Sequence, residues 1–135
     1  MKIQPLILFF SIFAMGGCDP EPHYIPLSVK GDTFAVPSDD PHISGDERIL
    51  NVFVYHWNEK EKRTATNYIT DWRIQAVKNI PVQSFEITVG VIPNGFVQVY
   101  PTLPGKPIFG QGIDYRIHID TNKPRNILGA EWKIR

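Results

Sequence analysis

A single cysteine, Cys18, stands among 135 residues, so no internal disulfide can form and the fold must rest on its hydrophobic core. Neither sign of charge prevails. Fourteen Lys and Arg offset fourteen Asp and Glu, which excludes the basic excess of a nucleic-acid-binding domain. There is no Gly-x-Ser-x-Gly elbow, no His-Glu-x-x-His and no Cys-x-x-Cys, and His23, His42, His56 and His118 share no ligand spacing. Nor does any segment carry the roughly 20 apolar residues that span a bilayer, or a sustained apolar stripe of helical period. The chain is therefore read as a non-enzyme that takes no cofactor and no metal.

What the sequence does have is twelve prolines, ten glycines and short segments alternating with period two. Leu27-Ser28-Val29 and Thr33-Phe34-Ala35-Val36 flank Lys30-Gly31-Asp32 as a hairpin. Ile49 to Trp57 is rich in β-branched and aromatic residues, and a charged turn at 58–63 leads to a second strand near Trp72 to Val77. Ser84 to Val89 alternates, Pro93-Asn94-Gly95 is a turn, and Phe96 to Tyr100 returns from it. Ile113 to Asp120 alternates Ile, Tyr, Ile, Ile inward with Asp, Arg, His, Asp outward, and Asn126 to Arg135 closes the chain. These segments predict an all-β fold, an antiparallel sandwich of about seven to eight strands, immunoglobulin-like or transthyretin-like. The expected divisions are a leader over 1–17, a tether over 18–26 and one sandwich domain over 27–135.

Binding surface is sought where polar loops and large side chains coincide. Residues 19–47 carry seven acids against Lys30 alone. Within them, Asp39, Asp40, Asp46 and Glu47 would form an acidic face that steers a basic partner. The segment lacks the spacing of a calcium loop, so it reads as surface rather than as a metal site. Tyr68, after the polar run Thr64-Ala65-Thr66-Asn67, and Phe109, near the end of the Pro/Gly-rich loop 101–112, are the candidate aromatic anchors. Gly105, Gly110 and Gly112 are turn glycines. His118 is placed on the outer surface beside Asp120, and His56 at a strand end where it packs.

The first residues read as an export signal. Lys2 is followed by about ten apolar residues from Leu6 to Met15, then Gly16, Gly17 and Cys18. This segment resembles the bacterial lipoprotein signal, with Met15 where leucine is usual. The resemblance implies cleavage before Cys18 and acylation of its thiol and new amine, palmitate included, which anchors the chain to a lipid bilayer. Several acyl chains bind stably where one binds marginally, at about 0.8 kcal/mol per buried CH₂. Asp19 resembles the signal that retains lipoproteins in the inner membrane, which favours the periplasmic face of that membrane. Asp19 to Pro26, with three prolines, would extend about 20–25 Å at roughly 3.1 Å per residue.

The lipobox, the short acidic linker, the compact β domain and the late strand Gly112-Ile113-Asp114-Tyr115-Arg116-Ile117 resemble small periplasmic lipoproteins, among them immunity lipoproteins of type VI secretion. The resemblance implies a protein partner, a secreted effector that the domain binds and occludes. Two other expectations stand beside it: a structural accessory lipoprotein of an envelope or secretion complex, and a lysozyme-inhibitor-like protein.

Overall fold

The computed structural model describes residues 21–58, 63, 67–102 and 107–134. The leader, Cys18, Asp19 and most of the charged turn lie outside the described residues. Nine strands follow in chain order: β1 (His23–Pro26), β2 (Ser28–Lys30), β3 (Thr33–Ala35), β4 (Ile49–Trp57), β5 (Tyr68–Ala76), β6 (Glu86–Thr88), β7 (Phe96–Tyr100), β8 (Tyr115–Thr121) and β9 (Asn126–Trp132). Six form a large sheet in the order β1-β9-β8-β4-β5-β7, and three a small one, β2-β3-β6. No helix occurs among the described residues, and the all-β sandwich expected from the alternation is what forms.

The period-two pattern sets which side chains enter the core. On β4, Val52 and Val54 point inward and pair across to Ile119 and Ile117 of β8 on one side and to Ile74 and Trp72 of β5 on the other. Phe34, Val36, Phe85, Ile87 and Val89, in and beside the small sheet, complete the cluster. The rings of Phe34 and Trp132 meet edge-on at 6.1 Å, and those of Phe85 and Phe96 lie 5.6 Å apart. Burying each such Val, Ile or Phe stabilises the fold by about 1.5–3 kcal/mol, which is how it stands without a disulfide. The Pro93-Asn94-Gly95 turn forms as read, with Gly95 at φ 92°, a conformation that favours glycine.

One boundary is corrected. The tether was expected to run through Pro26, yet His23–Pro26 is a strand that pairs in parallel with β9, from His23 opposite Asn126 to Pro26 opposite Gly129. The reason is Ile25, 1% exposed, whose side chain enters the core. Pro26 is tolerated because β1 lies at the sheet edge. Leu27 is buried at the crossing to β2, and its N–H donates to Gly129 O at 3.0 Å, so the chain passes from one sheet to the other at a single corner. This added strand brings the number to nine.

A second correction concerns Glu47, expected on an acidic surface. It is 0% exposed. One carboxyl oxygen accepts from Thr121 Oγ1 at 2.6 Å and the other from Asn126 Nδ2 at 2.9 Å, while Glu47 O accepts from Val82 N–H at 3.1 Å. Asn126 Nδ2 also donates to His42 O at 2.8 Å, so the long 37–48 loop is tied to the β8–β9 turn and to the 80–82 segment. Replacing Glu47 with Ala leaves two donors without acceptors and a void, and should lower stability by about 2–4 kcal/mol in urea denaturation. Glu47→Gln should cost only about 1 kcal/mol. Its amide oxygen still serves Asn126, and its NH₂ can face Thr121, whose hydroxyl has Lys123 O within 3.3 Å to donate to.

Candidate functional site

The small sheet covers one face of the large sheet, and the opposite face carries the candidate site. Residues 53, 55 and 57 of β4 alternate with the core positions and so point outward, and all three are aromatic. Tyr68 on β5 stands opposite Trp57, and Arg73 opposite Phe53, while β8 places Arg116 opposite Tyr55 and His118 opposite Phe53. Tyr55 touches Trp57 at 5.4 Å and Tyr68 at 5.2 Å between ring centroids.

Cations are layered onto these rings. The Arg63 and Arg116 guanidiniums lie 5.4 and 5.2 Å from the Trp57 ring, and Arg73 lies 5.2 Å from Phe53. Phe53 also faces the His118 ring at 6.1 Å. Asn51 Oδ1 accepts from both Nε and Nη2 of Arg73 at 3.1 Å, fixing that guanidinium, and Asn51 Nδ2 donates to Asp120 Oδ2 at 3.3 Å. Arg116 pairs with Glu131 at 3.3 Å, and Asp114 pairs with Lys133 at 3.0 Å and Arg63 at 3.7 Å. Lys133 and then Arg63 hold the Asp114 carboxyl below its ordinary range. Burial raises the Tyr55 hydroxyl, against the opposing effect of Arg116.

Two shallow hollows share this face. One, of about 360 Å³, is lined by Phe53, Tyr55, Trp57, Tyr68, His118 and Ile127. The other, of about 440 Å³, adds Tyr24, Arg116 and Glu131 around Gly129, where a Cβ would come 3.0 Å from Ile117 O. They meet at Tyr55, His118 and Ile127, which makes one groove across the sheet.

The structure scatters the residues expected to bind. Tyr68 joins the aromatic face and is 47% exposed. Phe109 instead packs on Tyr115 at 5.2 Å and Trp132 at 5.0 Å, so its ring supports the core and its expectation as an exposed anchor is corrected. Asp39, Asp40 and Asp46 lie on the loop at the opposite end of the sheet. Asp40 is turned inward to accept from His42 N–H at 2.9 Å, and Asp46 accepts from Ser44 Oγ at 2.5 Å and pairs with Lys123 at 3.6 Å. The Ser44 hydroxyl, then Lys123, lower the Asp46 carboxyl. With Glu47 interior, these four acids do not make one face. Cys18 lies outside the described residues.

Phe53, Arg73 and Arg116 are not singled out by the sequence, in which Tyr55 and Trp57 stand only among several potential aromatic anchors that read chiefly as core. The signal was present, because Ile49 to Trp57 is apolar at both parities and a strand of that kind needs cover on both sides. His56 does pack at the strand end. Its Nδ1 lies 2.6 Å from Asp71 Oδ2 and its ring meets Tyr115 edge-on at 5.6 Å. Asp71 is the unpaired residue where the β4–β5 register shifts, and burial raises its carboxyl against the opposing hydrogen bond from His56. The chain matches no protein-family model, no curated protein and no solved structure.

His118 gives the face a pH signature. It points outward as read but is largely covered, and burial lowers its pKa although Asp120 and the Leu128 carbonyl act the other way. The unfolded chain protonates His118 near pH 6.5, the folded chain only at lower pH. The stability tied to the neutral ring is therefore complete above about pH 6.5 and declines as pH falls toward the folded value. Urea denaturation at neutral and mildly acidic pH should show a smaller acid loss for His118→Gln than for the native chain.

Proposed function

We propose that this protein is a lipid-anchored periplasmic immunity protein that binds and occludes a secreted effector through the face of its large sheet opposite the small sheet. The observation that carries the reading is the Tyr55–Trp57–Tyr68 cluster with Arg63, Arg73 and Arg116 laid on and beside it. Tyr, Trp and Arg dominate binding hot spots because each brings large apolar area and directed hydrogen bonding together. Rings and guanidiniums that already hold one another lose little freedom when a partner arrives.

The arrangement of the two ends of the sheet supports the same reading. β1 begins at His23, beside Asn126, whereas Trp57 and Tyr68 lie where β4 ends and β5 starts. Nine residues of β4 separate the two ends, about 30 Å at roughly 3.3 Å per residue. An anchor at Cys18 adjoins the first end, so the aromatic cluster projects away from the bilayer toward soluble partners.

Two measurements test this. Mass spectrometry of the membrane fraction should find Cys18 as the first residue, carrying diacylglycerol and an N-acyl chain; an unmodified thiol there removes the anchor from the proposal. The reading expects a neighbouring gene for a secreted effector, and co-expression with that effector should give a one-to-one complex, which Tyr68→Ala weakens about tenfold or more while changing stability by less than about 0.5 kcal/mol. Recovery of a large membrane assembly instead would assign the chain an accessory role.

A further inference from the structure

We infer that this aromatic and arginine face selects an acidic segment of its protein partner, taking carboxylates on guanidiniums that the aromatic rings hold in place. This rests on the reading of that face as the binding surface and adds the partner's chemistry, which is the reverse of the basic partner expected from the acidic loop.

The charged groups on the face divide by position. Arg63, Arg73 and Arg116 each stack on a ring, Trp57 or Phe53. Asp114, Asp120 and Glu131 are the facing acids, none of them over a ring, and each is already engaged. Asp114 lies closer to Lys133 than to Arg63, Asp120 accepts from Asn51, and Glu131 makes a single contact with Arg116 at the rim. His118 also lies beside Phe53, and burial lowers its pKa.

Several guanidinium donors are left over among the described residues. Asn51 occupies Nε and Nη2 of Arg73, and no described residue accepts from its Nη1. Arg116 gives only Nη2 to Glu131, so Nε and Nη1 have no acceptor among the described residues. A planar guanidinium fixed against a ring offers its remaining N–H groups in the fork geometry that a carboxylate matches, with little rotamer entropy to lose. The groove over Gly129 runs past Arg116, and its Tyr24, Tyr55 and Ile127 walls can take the apolar side chains that flank such carboxylates. An exposed Lys-rich segment would instead bring ammonium groups against three stacked guanidiniums, a like-charge cost.

The test uses the folded chain and two extended peptides of equal length, one alternating Tyr with Glu and the other Tyr with Lys. Binding is followed on the Arg73 and Arg116 Nε–H and Trp57 indole N–H resonances. The Glu peptide should shift all three, bind at least tenfold more tightly than the Lys peptide, and weaken as salt is raised. Arg73→Met with Arg116→Met keeps the apolar stems that cover the rings and should reduce Glu-peptide binding about tenfold to a hundredfold. Equal binding of both peptides, sensitive to Tyr68→Ala but not to the Met pair, would leave the face as the binding surface and overturn the acidic selection. If neither peptide moves these resonances, the acidic selection and the choice of face both fall.

Discussion

The large sheet buries one face against a partner of only three short strands, and among the described residues the side chains on its other face contact chiefly one another. That inequality decides most of what lies outside the core. A three-residue strand spans about 10 Å, so β2, β3 and β6 can cap the inner residues of β8, β4 and β5 but supply nothing for the reverse side. On that side an ordinary solvated sheet would carry Thr, Lys and Glu. β4 instead presents Phe53, Tyr55 and Trp57, and the apolar area is sheltered by laying guanidiniums on the rings, a cover that removes ring surface from water while keeping a charged, hydrated outer edge. The arrangement keeps the face compatible with solvent while preserving the large rigid surfaces that a partner can desolvate.

At the other end of the sheet the governing interaction is the buried Glu47 carboxyl. The loop that joins the small sheet to β4 has little apolar content beyond Ile43, and hydrophobic contact alone would not fix its path. Glu47 fixes it with side-chain bonds to Thr121 and Asn126, and Asn126 extends the connection to the His42 carbonyl and, at 3.3 Å, to the His23 ring. The same few atoms therefore settle where the loop lies and where β1 enters the sheet. Asp40 and Asp46 are drawn into this structure by His42, Ser44 and Lys123, which explains why a run of acids that looks like a recognition surface in the sequence serves chiefly to close one end of the sandwich.

How far the sequence could be read follows from these two features. The alternation in Ile113 to Asp120 reveals β8 because one face is wholly apolar and the other wholly polar, and the Asn94-Gly95 turn is legible because its backbone demands that chemistry. Period-two reasoning identifies β4 as a strand but gives no warning that its two apolar faces have unequal cover, since cover depends on strands far away in the chain. β1 is concealed by Pro22 and Pro26, which read as a tether until Ile25 finds a hole between the sheets. Glu47 cannot be told from Asp46 by any local rule; only the donors of Thr121 and Asn126, more than seventy residues later, make burial of its carboxyl tolerable.

The two ends also bear on which kind of partner suits the proposed anchor. With β1 starting at His23, only residues 19–22 separate an acylated Cys18 from the sheet, and they span at most about 15 Å. A tether that short would keep the Glu47 end near the bilayer, and the Trp57 end could reach up to about 45 Å out. A partner embedded in the same membrane would meet the loop end first, where Lys123 and Asp46 neutralise each other and His42 is occupied by Asp40. A soluble protein would meet the aromatic and arginine face. Under the proposed anchor its rings would come within reach of a diffusing partner without displacement of lipid, and that difference in access accords with the proposed occlusion of an effector better than with a structural place in a membrane complex.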